Sequence, residues 1–174
     1  MRRRKQIRLK EYNYSWPGAY FITVCTKDRM EMFGEIVEGE MIRNKYGDIV
    51  QSCWNELPGH YPNIQLDEFQ VMPNHIHGII IIIDNTVGSR HVSTLRGVHH
   101  TLGNIVGSFK SAVTKQINDV RRQYGTRIWQ IRFYDHVIRN EQSLNRIREY
   151  IRINPQQWQW DKGNLWDPKR PHPK

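Results

Sequence analysis

Apolar stretches along the chain predict where its strands lie. Runs of apolar, β-branched residues predict strands at 19–26, 64–72 and 75–83, and an aromatic stretch predicts a last strand around 133–138. Two short apolar segments on either side of a Glu-Gly pair predict a small hairpin between the first strand and the first helix. Pro73 lies between the second and third strands, which predicts a break or a bulge at that point.

Apolar residues at helical spacing predict three helices, at 44–57, 101–118 and 140–153. Asn44 is a residue type that caps helix N-termini, and the Pro-Gly pair after position 57 is expected to end the first helix. Pro155 is expected to end the last one, because proline disfavours helical conformation in the residue before it.

The elements follow one another as strand, helix, strand, strand, helix, strand. This order predicts an α+β fold of the ferredoxin-like or RRM-like type (βαββαβ), in which two helices cover one face of an antiparallel sheet. The hairpin and the C-terminal helix are additions to that plan. The second face of the sheet is expected to be open.

His75 and His77 are the residues that first suggest chemistry. Side chains alternate along a strand, so the two imidazoles point the same way and Ile76 points the other. Two imidazoles a few ångströms apart on a rigid element suit a divalent metal ion. A His-x-His pair also occurs on ordinary half-polar strands, and the pair by itself does not decide between the two interpretations.

Charge narrows the class of partner. The 174 residues include 26 Lys and Arg against 17 Asp and Glu, a net charge of +9 with neutral histidines. The resulting pI of about 9.8 favours a polyanionic partner, most simply nucleic acid.

The cysteines and the apolar runs indicate the cellular compartment of the protein and whether it enters a membrane. Cys25 and Cys53 lie in apolar stretches and predict buried thiols in a reducing compartment. The basic N-terminus is followed by no signal-peptide pattern, and the isoleucine run at 79–83 falls far short of the roughly 20 residues that span a bilayer. We therefore expect a cytoplasmic protein without a membrane partner.

Composition divides the chain into three parts. Residues 1–14 are basic and lack apolar periodicity, which predicts a flexible arm that contacts phosphate. Residues 15–155 hold all the predicted elements, and 84–100 within them form a polar, Gly-, Ser- and Thr-containing segment that predicts a loop. Residues 156–174 contain three tryptophans, so part of this tail is expected to dock on the domain.

Two blocks of the sequence resemble a known family. The segment Met72-Pro73-Asn74-His75-Ile76-His77 is similar to the His-hydrophobe-His (HUH) motif of single-tyrosine transposases. A second block, which runs from Trp129 through Tyr150 to Asn154-Pro155, resembles the REP-associated tyrosine transposase branch. The two blocks lie in the expected order within residues 15–155. The tail departs from the branch, because Gln- and Trp-rich residues at 156–160 replace a short aliphatic run with Lys and Gly.

The resemblance implies a nuclease domain that cleaves and rejoins single-stranded or hairpin DNA. Tyr150 matches the nucleophile, His75 and His77 match metal ligands, and Asn154 matches the position of a third polar ligand. His136 matches a recurrent residue that would support the active site. Mixed nitrogen and oxygen ligation suits Mg²⁺ or Mn²⁺ better than zinc. The implied reaction forms a 5′-phosphotyrosine and leaves a free 3′ hydroxyl.

Basic residues outside the motifs are candidates for contacts with the DNA backbone, and together they predict salt-dependent binding. They are Arg2, Arg3, Arg4, Lys110, Arg121, Arg122, Arg132 and Arg139.

Other functions and states stay open at this point. An RRM-like module that binds single-stranded nucleic acid without cleaving it is the main alternative, and a zinc hydrolase of another class is a weaker one. Family members include dimers that share sites, so the sequence allows a monomer or a homodimer. It does not give the DNA target.

Overall fold

The computed structural model of the chain describes residues 13–84 and 100–158. The basic arm with Arg2, Arg3 and Arg4, most of the polar segment at 84–100 and the tail beyond Trp158 lie outside the described residues. The predictions made for those parts therefore stay predictions.

Four strands form the main sheet. They are β1 (Gly18–Cys25), β4 (Ile64–Met72), β5 (His75–Ile82) and β6 (Tyr134–Ile138), arranged in the order β4-β5-β1-β6 with every neighbouring pair antiparallel. The predicted hairpin is a separate two-stranded sheet of β2 (Gly34–Val37) and β3 (Glu40–Arg43). The break expected at Pro73 is the two-residue turn between β4 and β5.

The helices are α1 (Lys45–Asn55), α2 (Leu57–His60), α3 (Leu102–Arg121) and α4 (Glu141–Ile153). Each long helix begins after a side-chain cap, supplied by Asn44, Thr101 and Asn140, that accepts hydrogen bonds from the first turn. The Pro-Gly pair that was expected to end the first helix instead lies inside α2, where proline occupies the first turn and needs no hydrogen-bonded N–H. A 3-10 turn (Asn154–Gln157) follows α4 directly.

One face of the sheet carries the main core. Tyr20 and Ile22 of β1 and Ile76 and Ile80 of β5 pack with the buried residues of α1 and α3. Both predicted cysteines are buried thiols, as expected.

The second face of the sheet is covered, so the expectation of an open face is wrong. Helix α4 packs there through Ile147, Tyr150 and Ile151, against a layer that contains Phe21 and Ile79. The physical reason lies in the strands themselves: Phe21 of β1, Ile79 of β5 and Ile138 of β6 put apolar side chains on this face as well, and burying them removes that surface from water.

The predicted α+β class, with an antiparallel sheet and packed helices, is confirmed. No helix in the described ranges 13–84 and 100–158 is long and apolar enough to span a membrane.

Candidate active site

Two imidazoles meet on the face of the sheet that α4 covers. His75 and His77 alternate with Ile76 on β5, and Nε2 of His75 lies 3.0 Å from Nε2 of His77. The rings are nearly perpendicular, with centroids 4.5 Å apart. The strand therefore holds both Nε2 atoms at one point, as the alternation of side chains predicts.

Each ring is oriented by a hydrogen bond at its other nitrogen. Nδ1 of His75 lies 2.7 Å from the side-chain oxygen of Asn74, whose amide nitrogen donates to the backbone oxygen of Arg29. An amide oxygen only accepts, so Nδ1 of His75 carries the proton and its Nε2 presents a lone pair. Nδ1 of His77 lies 2.8 Å from Oγ1 of Thr23 on β1, and a hydroxyl can either donate or accept. Thr23 thus accommodates both tautomers of His77.

Tyr150 approaches the same point from α4. Its phenolic oxygen lies 3.3 Å from Nε2 of His77, and the two rings meet edge to face with centroids 5.1 Å apart. Phe21 of β1 packs against both of these rings, stacked on His77 and edge-on to Tyr150. The tyrosine and both histidines come from one chain, so a partner subunit is not needed to bring them together.

The site is closed to solvent. Tyr150, His75 and His77 are 4%, 5% and 1% exposed, and the ring of Trp158 lies 5.9 Å from that of His75. Burial, followed by the positive charge of Arg29, lowers the pKa of His75 to about 3. Burial and then the neighbouring His75 hold the pKa of His77 well below its usual value. Both imidazoles are therefore neutral near pH 7, the state in which imidazole binds metal.

The spacing of the histidines fits a shared divalent cation. Two ligand atoms about 2.1 Å from one ion and about 90° apart are separated by about 3.0 Å. Asn154, the C-cap residue of α4, lies one turn after Tyr150 and is fully buried, and its role as a third ligand stays a prediction. Within the described ranges, no group of three or more His, Cys, Asp or Glu side chains could hold a metal ion.

The chain is similar to known proteins. The chain is 39% identical over 167 residues to an uncharacterised protein of Haemophilus influenzae, a match that covers 91% of the chain and 92% of that protein. It is 24% identical over 146 residues to the "Putative REP-associated tyrosine transposase" of the same organism, covering 79% of the chain and 70% of that protein. No protein-family model matches.

A solved structure shares the fold. It is a REP-associated tyrosine transposase bound to a REP hairpin, with a TM-score of 0.56 and 21% identity, and the match covers 88% of this chain and 74% of that one. The chain is therefore similar in sequence to a protein with that name and similar in fold to a solved REP-associated tyrosine transposase. The resemblance stated from the motifs is confirmed.

His136 lies on the sheet face that carries the histidine pair. On β6 it is opposite Phe21, whereas Tyr134 is opposite Thr23 and so lies in line with His77. Two strand spacings separate β6 from β5, a distance of about 10 Å. Burial and then Arg139 lower the pKa of the half-buried His136. Its supporting role stays a prediction.

The predicted DNA-contact residues that lie in the described ranges are located around α3 and β6. They differ in whether their side chains already bind another part of the protein. Lys110 donates to the backbone oxygens of Gln130 and Ile131, at 2.7 and 3.0 Å, so its ammonium already holds this segment in place. Arg121 donates to the side-chain oxygen of Gln123. Three candidates are exposed: Arg122, Arg132 and Arg139. Their DNA contacts stay predictions.

Sequence reasoning missed several residues that contact this site or the tyrosine helix. Thr23 is a hydroxyl residue inside an otherwise apolar strand, and this signal could have marked it as a partner for a buried polar group. Trp158 was expected only in general terms, as part of a docked tail. Asp67 binds Arg148 of α4, and nothing in the spacing of the two residues predicts the contact.

Proposed function

We propose that this protein is a transposase-type endonuclease and strand transferase that acts on single-stranded or hairpin DNA, with Tyr150 as its nucleophile. The observation that carries the proposal is the 3.3 Å separation of the Tyr150 hydroxyl from Nε2 of His77, where His75 also converges. The two related proteins that are named as REP-associated tyrosine transposases support the reaction class, and the hairpin in one of them supports the substrate class.

The proposed reaction exchanges one phosphodiester for another. The phenolic oxygen of Tyr150 loses its proton and attacks the phosphorus, and the bond from phosphorus to the 3′ oxygen breaks. The 3′ oxygen takes up a proton and leaves as a hydroxyl, so the 5′ phosphate stays on the tyrosine. A 3′ hydroxyl of the same or another strand then attacks that phosphorus and releases the phenol. Because the phosphotyrosine retains the bond energy, rejoining requires no nucleotide cofactor.

His75, His77 and Asn154 are the residues that would hold Mg²⁺ or Mn²⁺. A bound ion supplies Lewis-acid stabilisation of the charge that develops on the phosphoryl oxygens. Thr23 and Asn74 orient the imidazoles, Phe21 packs on His77 and Tyr150, and the surrounding burial excludes water. Since the site is closed, DNA entry requires the side chain of Tyr150 or the Trp158 segment to move.

The fold proposal is the ferredoxin-like arrangement within residues 15–155, flanked by the basic arm and the Trp-rich tail. It is supported by the element order β1, α1, β4, β5, α3, β6 and by the sheet order β4-β5-β1-β6. The convergence of Tyr150 and the histidines within one chain supports a monomer as the catalytic unit.

A nicking assay tests the function. Wild-type protein, Tyr150→Phe and Tyr134→Phe are incubated with a small library of hairpin-bearing oligonucleotides, with and without Mn²⁺, and separated on denaturing gels. The second variant is a matched control because Tyr134 lies on the same sheet face and also contacts Phe21. We expect nicks and a covalent adduct from wild type and Tyr134→Phe, and neither from Tyr150→Phe. Chelator-insensitive binding without cleavage would instead identify a non-catalytic RRM-like module.

A further inference from the structure

Helix α4 is tied to the edge strand β4 by a charged pair close to Tyr150. Nε of Arg148 donates to Oδ1 of Asp67 at 2.9 Å, and Nη2 donates to Oδ2 at 2.5 Å. One turn later, Arg152 makes an ion pair with Glu68. The two arginines flank Tyr150 at two residues' distance on either side along the helix.

The acidic partners reach α4 because β4 contains a bulge. Leu66 pairs with Ile80 and Phe69 pairs with Gly78, so Asp67 and Glu68 together face a single residue of β5. In a regular strand two consecutive side chains would point to opposite faces of the sheet. The bulge removes that alternation, and both carboxylates contact the helix that carries the tyrosine.

The two pairs differ in burial. The side chains of Asp67 and Arg148 are 12% and 31% exposed, whereas those of Glu68 and Arg152 are 26% and 62% exposed. The backbone N–H of Glu68 also donates to Oδ1 of Asp67 at 2.7 Å, so this carboxylate is oriented by a second hydrogen bond that does not depend on Arg148. A bidentate, partly buried pair with a fixed carboxylate has one preferred geometry, while an exposed pair contributes little.

Apolar packing alone does not set the position of the helix. Ile147 and Ile151 bury α4 against the sheet, but contacts of this kind are non-directional and tolerate sliding or rotation. The two parallel hydrogen bonds from Arg148 to Asp67 fix the position of α4 along its axis and its rotation about that axis. The phenolic oxygen of Tyr150 must arrive beside the histidine pair, and misplacement by about 1 Å can reduce the rate of a reaction by about 100-fold.

We propose that Asp67 and Arg148 are positioning residues that set the register of α4, so that Tyr150 meets the histidine pair within one chain. This inference rests on the proposed function for its effect on rate. The pair acts through the tyrosine, whose helix it holds against β4.

The experiment compares Asp67→Asn, Arg148→Lys, the exchanged double variant Asp67→Arg/Arg148→Asp, and the control Glu68→Gln. The substrate is a hairpin oligonucleotide that the nicking assay shows to be cleaved by the wild-type protein. Single-turnover adduct formation on this DNA is measured separately from the Kd for the same DNA. We expect Asp67→Asn and Arg148→Lys to lower the adduct rate at least about 10-fold while Kd changes less than about 2-fold. The exchanged variant should recover part of the rate, and Glu68→Gln should stay close to wild type.

A second readout is independent of cleavage. Protein labelled with 3-fluorotyrosine gives a ¹⁹F signal for position 150, assigned by its loss in Tyr150→Phe. We expect Asp67→Asn and Arg148→Lys to shift or broaden this signal and Glu68→Gln to leave it unchanged. A signal that moves in a protein that never forms an adduct would refute the proposed function and retain the positioning role. Wild-type rate together with an unmoved signal in both variants would overturn the positioning role.

Discussion

The hydroxyl of Thr23 lies 2.8 Å from Nδ1 of His77, across the antiparallel pair of β1 and β5 in which the two residues are directly opposite each other. When Nε2 of His77 binds a metal ion, Nδ1 must carry the proton and needs an acceptor. Thr23 is placed to be that acceptor. In the ion-free protein its hydroxyl can instead donate to Nδ1, so that His77 donates from Nε2 to His75.

Thr23→Val is therefore expected to weaken Mn²⁺ binding by about 10- to 100-fold, because it leaves a buried N–H without an acceptor. Thr23→Ser keeps the hydroxyl and is the matched control. Calorimetric titration of the DNA-free protein with Mn²⁺ measures the effect without depending on cleavage. Equal affinities for Thr23→Val and wild type would show that this hydroxyl does not govern metal binding.

Gly78, directly after the histidine pair, is expected to accept no side chain. A Cβ at this position would lie 2.5 Å from the indole of Trp54, which stacks on Phe69 with ring centroids 4.3 Å apart. Gly78→Ala should lower the free energy of unfolding by about 1–3 kcal/mol, the usual cost of overpacking a filled core. Urea denaturation measures it.

Gly107→Ala in α3 is the matched control, because a Cβ there would meet no side chain and no other element within 4 Å. It should be neutral or stabilise the protein by up to about 1 kcal/mol through helix propensity. If both alanine variants behaved alike, the close packing of Trp54 against β5 would be contradicted.

The stability contribution of the Asp67–Arg148 pair should depend on pH in one direction. The hydrogen bond from Arg148 lowers the pKa of Asp67 below its ordinary 3.8, so the folded state favours the carboxylate. The contribution is present above the unfolded pKa and is lost as pH falls through the lower, folded value. We expect Asp67→Asn to cost about 1–2 kcal/mol at neutral pH, where the pair is partly exposed.

Denaturation of wild type and Asp67→Asn across a pH series checks this. The difference in the free energy of unfolding between the two proteins should be constant from pH 7 to about 5 and should shrink below about 4. A difference that grew on acidification would contradict the assignment of the shift to Arg148.

Arg132 and Arg139 are exposed on either side of β6 and are predicted to contact DNA phosphates. Each phosphate contact contributes about −0.7 to −0.9 to the slope of log K against log salt. The double variant Arg132→Ala/Arg139→Ala should therefore flatten the slope by about 1.5. Arg43→Ala removes a surface arginine that is paired with Asp48, and it should leave the slope unchanged. An unaltered slope in the double variant would exclude these two arginines from the interface.

Local patterns allowed much of the fold to be predicted. Apolar and aromatic runs located the four strands, the alternation of side chains placed His75 and His77 on one face, and apolar residues at helical spacing located the long helices. What the sequence did not reveal depends on register between distant segments. The contact of Thr23 with His77 follows from how β1 pairs with β5, and the contact of Asp67 with Arg148 needs the bulge in β4. Covering of the second sheet face by α4 likewise required tertiary packing.

Lys110 shows a different limit of sequence-based prediction, namely that the contacts of a polar side chain cannot be read from the periodicity of its helix. Its position off the apolar stripe of α3 indicated a free cation for DNA, because helical periodicity reports only which face is apolar. The carbonyls of Gln130 and Ile131 that its ammonium binds lie in a segment brought there by the pairing of Trp129 with Thr26. Helical periodicity within α3 gives no information about that pairing.

The central claim is that Tyr150 carries the DNA after cleavage, and mapping the covalent adduct tests it most directly. Trypsin cuts after Arg148 and Arg152, so the nucleophile lies in the four-residue peptide Glu149–Arg152, separate from the peptide that contains Tyr134. Wild-type protein is allowed to react with a hairpin oligonucleotide that it cleaves. The product is treated with nuclease and trypsin and is analysed by mass spectrometry. We predict a residual 5′-phosphonucleotide on Tyr150. Its appearance on Tyr134 or on another residue, with an unmodified Glu149–Arg152 peptide, would contradict the account.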